Sequence, residues 1–102
     1  MRYEVLDSFL GDYRRLSPTE RALFKNVLPD FVAACDRFSA DRAAGWPASL
    51  RVKAVEGAPG IVEMTWSFAG PDGRATFEWM TIDGQLSVRW RRVGGHQIFR
   101  NP

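Results

Sequence analysis

The spacing of apolar residues changes at Gly45-Trp46-Pro47, and that change constrains the fold more than any other feature of the chain. Before it, apolar residues recur every three or four positions; after it, every second position. The first period belongs to amphipathic helices and the second to half-buried strands. Helices followed by strands, rather than alternating with them, predict an α+β fold with helices on one face of an antiparallel sheet.

In the helical half, Leu6, Phe9, Leu10, Tyr13 and Leu16 mark a short helix from about residue 7 to 16. Residues 2 to 5 are long enough for a brief edge strand. Ser17-Pro18-Thr19-Glu20 then combines an N-cap hydroxyl, a proline at the first helical position and a glutamate placed to bond back to the cap. The second helix starts there, and its stripe of Phe24, Val27, Leu28, Phe31, Cys35 and Phe38 runs on past Pro29, which should bend the helix rather than end it.

In the stranded half, turn signals at Gly57-Ala58-Pro59-Gly60, Gly70-Pro71-Asp72-Gly73 and Asp83-Gly84 separate four strands, near 50–55, 61–69, 74–82 and 86–92. The last three form an antiparallel meander. Alternation puts Val62, Met64, Trp66, Phe68, Ala75, Phe77, Trp79, Leu86, Val88 and Trp90 on the face that carries the helices. Arg51, Lys53, Glu63, Thr65, Arg74, Thr76, Glu78, Arg89 and Arg91 fall on the other face, and no further segment is expected to cover it. A solvated polar face is the ordinary condition of a one-sided sheet. Cations gathered around two carboxylates also suit an anionic backbone.

With 102 residues, 45% hydrophobic and 25% charged, the chain has the composition of one globular domain spanning 1–102. A chain of this length buries roughly 65% of its unfolded surface, enough for one core, which excludes a large multidomain enzyme. The lone Cys35 rules out an intrachain disulfide and a cysteine-based zinc cluster. Acids interrupt the place of a signal core, and charge breaks every stretch long enough to span a bilayer, so a cytoplasmic protein without membrane insertion is expected. The net charge is only +2, but residues 84–102 carry Arg89, Arg91, Arg92 and Arg100 with no acid. Arginine outnumbers lysine twelve to two, which fits both a high-GC genome and forked recognition of phosphate.

Four stretches in this order resemble the RelE/ParE toxin superfamily of bacterial toxin–antitoxin systems. Phe9-Leu10-Gly11-Asp12-Tyr13-Arg14-Arg15-Leu16-Ser17-Pro18 is similar to the family's opening helix and its break. Ser49-Leu50-Arg51-Val52-Lys53, followed by Glu56-Gly57, is similar to its basic first strand. Gly73-Arg74-Ala75-Thr76-Phe77 is similar to its arginine-bearing strand, and Val93-Gly94-Gly95-His96-Gln97-Ile98-Phe99-Arg100 to its ending. The resemblance covers almost the whole chain and implies two helices packed on a small, mainly antiparallel four-stranded sheet.

The RelE-like branch implies an endoribonuclease that cuts messenger RNA in the ribosomal A site without metal or other cofactor, held in check by a cognate antitoxin. Such cleavage uses the substrate's own 2′-hydroxyl, and it needs a base, cationic donors on the phosphorane and an acid for the departing 5′-oxygen. Arg74 matches the family's strand arginine and would hold the phosphorane. His96 falls where relatives carry a catalytic His or Arg and would serve as the acid. Glu63 stands where the RelE type has lysine and is the preferred base over Glu78. The catalytic glutamate of other branches falls near Ala48. Arg51, Lys53, Arg89, Arg91, Phe99 and Arg100 would contact RNA, the cations on its backbone and Phe99 by stacking. Phe99 replaces the family's usual tyrosine and brings no hydroxyl. An exposed face of this charge is expected to be covered by an antitoxin segment. The same resemblance admits a ParE-like inhibitor of DNA gyrase, or a catalytically weakened RNA- or protein-binding relative.

Overall fold

A computed structural model describes residues 2–66 and 72–102; Phe68 and the turn expected at Gly70-Pro71 lie outside them. The chain runs β1 (Tyr3–Val5), α1 (Asp7–Arg15), α2 (Pro18–Ala40), β2 (Lys53–Ala54), β3 (Ile61–Trp66), β4 (Gly73–Ile82) and β5 (Gln85–Gly94), then a 3-10 turn at His96–Arg100. The five strands form one sheet in the order β1-β5-β4-β3-β2. All neighbours are antiparallel except β1, which pairs in parallel with β5. The expected edge strand is therefore real, and the sheet has five strands rather than four.

Local chemistry accounts for most of the boundaries. The Ser17 backbone N–H donates to Glu20 Oε1 at 2.8 Å while the Glu20 N–H donates to Ser17 Oγ at 3.1 Å, closing the capping box that starts α2. Pro29 sits on the exposed side of α2, where the missing N–H is cheapest, and the helix runs through it unbroken. Asp83 and Gly84 have φ of 50° and 78°, the pair of positive values that a tight β4–β5 turn requires.

The first long strand is a correction. Only Lys53–Ala54 pair with β3, because Arg51 takes a φ of 45° and breaks the ladder. Leu50 still accepts a backbone hydrogen bond from Thr65 at 2.8 Å and is buried. Arg51 is thus a loop residue, and its guanidinium Nη2 reaches Asp72 at 2.8 Å rather than projecting from a strand face.

Helices and sheet meet in one aromatic core. The Trp90 ring on β5 lies 5.8, 5.6, 5.0 and 5.6 Å from the rings of Phe9, Phe24, Phe31 and Phe77. Met64, Trp66, Ala75, Phe77, Val88 and Trp90 are buried on the face that alternation assigns to them. A bulge then interrupts the pattern. Phe77 pairs with Trp90 but Thr76 with Arg92, leaving Arg91 as the extra residue of β5. This returns Val93, not Arg92, to the core. Among the described residues no helix is long and apolar enough to cross a membrane.

Cys35 belongs to this core and is fully buried. Burial pushes its thiol up to about 12, and neighbouring Asp36 pushes in the same direction. At pH 8 only roughly one thiol in ten thousand is then ionised in the native state. Thiol labelling at pH 8 is expected to proceed no faster than global unfolding and to accelerate sharply through the denaturation transition. Fast labelling of the native protein would place Cys35 in an open site.

Candidate active site

The polar face of the sheet is not bare. After Gly94 the chain turns back and lays residues 95–102 against it, so the expectation that nothing covers this face is wrong. The Pro102 carbonyl accepts from Thr76 Oγ1 at 2.9 Å and from Arg91 Nε at 3.1 Å. Ile98 is buried outside the main core, and Thr65 and Thr76 are almost inaccessible. The segment combines apolar contact with carbonyl acceptors, which suits a surface of hydroxyls and guanidiniums.

A second anchor ties this segment to α1. Asp12 is buried and accepts from Arg92 Nε at 2.5 Å, from Arg92 Nη2 at 3.1 Å and from the Val93 backbone at 3.2 Å. Arg92 Nη1 then donates to the Asn101 carbonyl at 3.0 Å. Hydrogen bonding to Asp12 raises the Arg92 guanidinium further above its already high ordinary range. The reading of the sequence did not single out Asp12 or this role of Arg92. A signal was available, because Phe9, Asp12 and Leu16 are spaced by three and four and so share the buried stripe of α1.

The three ring and guanidinium groups singled out near the C-terminus are brought together. Phe99, half-buried, meets the His96 ring edge-on at 5.3 Å, and the Arg74 guanidinium lies 5.4 Å from the Phe99 centroid. Arg74 is half-buried; its Nη1 donates to Thr65 Oγ1 at 3.2 Å, and its buried Nε has no acceptor. Among the described residues no carboxylate pairs with it. His96 is exposed and opens on a cleft of about 490 Å³ shared with Asp12, Arg15, Glu20 and Asp72.

The other nominated residues are arranged less simply. Glu63 is buried opposite Thr76, one diagonal step from Arg74, and forms an ion pair with Lys53 Nζ at 3.6 Å. Arg89 donates to Glu4 at 2.7 Å and to Glu78 at 2.9 Å, and Arg91 to the other Glu78 oxygen at 3.3 Å. These bonds raise the Arg89 pKa and commit much of its charge to internal partners. Arg100 is exposed and makes no ion pair among the described residues. The positive character of this face is therefore concentrated at Arg74 and Arg100 rather than spread over every cation on it.

A separate apolar groove of about 370 Å³ runs between α1, α2 and the β1 edge. It collects Tyr3, Leu10 and Val32, which are 68%, 39% and 41% exposed.

Helices on one face of a mixed five-stranded sheet, with a C-terminal turn folded onto the other, define an α+β architecture. No protein-family model matches the sequence, and no curated protein does. Among solved structures, a chain of the intact E. coli RelBE toxin–antitoxin complex is similar, with a TM-score of 0.56 and 18% identity over 92% of this chain and 94% of that one. The fold implied by the resemblance is thus the fold found.

Proposed function

We propose that the protein is the toxin of a toxin–antitoxin system and cuts ribosome-bound messenger RNA by activating the substrate's own 2′-hydroxyl. One observation carries this reading. Among the described residues Arg74 has no carboxylate partner, and its guanidinium and His96 both contact Phe99. An uncompensated guanidinium beside a titratable imidazole supplies two of the three groups the chemistry needs, a phosphorane clamp and an acid for the 5′-oxygen.

Glu63 supplies the third. Its ion-pair partner Lys53 is 72% exposed and turns to an RNA phosphate, leaving the carboxylate to take the 2′-hydroxyl proton. Arg100 and Lys53 contribute backbone contacts that attract RNA without selecting a sequence. Arg51, Arg89 and Arg91 reach RNA only by sharing cations already bonded to Asp72, Glu4 and Glu78. The partner this reading requires is a protein antitoxin. The groove with exposed Tyr3, Leu10 and Val32 offers such a partner apolar surface beside an open strand edge.

Single-turnover cleavage of a programmed ribosome complex tests the proposal. Because His96 is exposed and its ring meets that of Phe99 edge-on, His96→Ala should leave the melting temperature in place while slowing cleavage about 100-fold near neutral pH, the ordinary contribution of a proton donor. Parental rates in His96→Ala would remove the imidazole from the mechanism.

A further inference from the structure

The guanidinium of Arg74 ends a long, flexible side chain, so whatever fixes it decides how well the site is organised before any substrate arrives. Two neutral groups do this. Thr65 stands directly opposite Arg74 on β3, is 2% exposed, and accepts from Nη1 through its hydroxyl oxygen. From the C-terminal turn, the Phe99 ring lies within cation–π distance of the same guanidinium.

The contrast with the neighbouring arginines is informative. Arg51, Arg89, Arg91 and Arg92 are each fixed by a carboxylate, which positions the cation and cancels much of its field. A hydroxyl oxygen and an aromatic ring position Arg74 while leaving its charge intact. With Nη1 engaged by Thr65, the Nε and Nη2 edge has no acceptor among the described residues. That edge is the side of a guanidinium that takes two oxygens of one phosphate in a fork. The ring that meets the guanidinium belongs to the short C-terminal 3-10 turn rather than to the sheet.

We propose that Thr65 and Phe99 are positioning residues that hold Arg74 as an uncompensated site for a single phosphate-type oxyanion. The inference rests on Arg74 as the phosphate-binding arginine of the proposed cleavage and names what organises it. Phenylalanine suffices for this role, because a cation–π contact uses the ring and not a hydroxyl.

Inorganic phosphate, titrated into nitrogen-15-labelled protein, is the probe, read on the Arg74 Nε–H resonance assigned by its loss in Arg74→Lys. The parental protein should give a saturable shift. Thr65→Val, which keeps the shape and removes the acceptor, should weaken phosphate binding roughly three- to tenfold, the net contribution of a typical intramolecular hydrogen bond. Thr65→Ser should restore it to within about twofold, since the oxygen is what matters. Phe99→Leu should weaken binding, and Phe99→Tyr should keep it. Melting curves establish that each variant is folded, and if Thr65→Val is not, Thr65→Ser and the Phe99 pair decide the matter. A parental resonance that phosphate leaves unmoved would overturn the proposal, as would folded Thr65→Val and Phe99→Leu proteins that bind phosphate like the parent. Phosphate binding with the expected Thr65 and Phe99 dependence, in a protein that leaves ribosome-bound RNA uncut, would refute the ribonuclease reading and leave this one standing.

Discussion

Arg74→Ala is expected to lose about 100- to 1,000-fold in single-turnover RNA cleavage, the usual consequence of removing one preorganised donor from a developing oxyanion. Stability should barely change. The side chain makes one hydrogen bond and one ring contact and leaves its Nε unsatisfied, so its removal also relieves a buried orphan donor. A net effect within about 1 kcal/mol corresponds to a shift of only a few degrees for a domain of this size. Cleavage rate and thermal melting, measured on the same preparation, separate the two effects. A variant that melts far below the parent, or cleaves at its rate, would make Arg74 a structural residue.

The second large effect is expected at Asp12, far from the chemistry in sequence and tied to it in space. Its side chain is only 8% exposed and is the acceptor for both Arg92 and the Val93 backbone. Its removal leaves the buried Val93 N–H without an acceptor and takes two charge-assisted hydrogen bonds from the part-buried Arg92, at a cost of about 3 kcal/mol. For about 100 residues, that predicts a fall in melting temperature of roughly 15 °C or more in Asp12→Ala. Activity should fall as well, since Arg92 also holds the Asn101 carbonyl and the turn that carries His96 and Phe99. Thermal denaturation of Asp12→Ala and Asp12→Asn checks this. A fall of less than about 4 °C in the alanine variant would mean that the pair is worth no more than a surface salt bridge.

The helices, three of the four expected strands and the two faces of the sheet were legible because each rests on a local rule. The capping box at Ser17-Glu20, the Asp83-Gly84 turn and the two apolar periods all act within a few residues of themselves. The misreadings come from contacts that are distant in sequence. Nothing local reveals that Arg51 takes a left-handed conformation and shortens the first strand, or that a bulge at Arg91 sends Val93 instead of Arg92 inward.

The site divides in the same way. Arg74, His96 and Phe99 were named from motif likeness, and the fold sets the ring of Phe99 against both of the others. That Arg89 and Arg91 are drawn to Glu78 depends on the β4–β5 register, which sequence period alone does not supply. The C-terminal cover was missed because Ile98 and Phe99, following Gly94-Gly95, carry no period of their own. A buried Ile98 so close to the end of an apolar strand makes sense only once the chain is seen to turn back on itself.

If Arg74 and its neighbours cut RNA by substrate-assisted transfer, the new ends carry its chemical signature. Ribosome-bound message is incubated with the parental protein, and the 3′ end of the upstream fragment is identified by mass spectrometry. Expected are a 2′,3′-cyclic phosphate upstream and a 5′-hydroxyl downstream, formed at a rate that Arg74→Ala lowers about 100- to 1,000-fold. Intact message, or fragments ending in a 3′-hydroxyl and a 5′-phosphate, would contradict this mechanism.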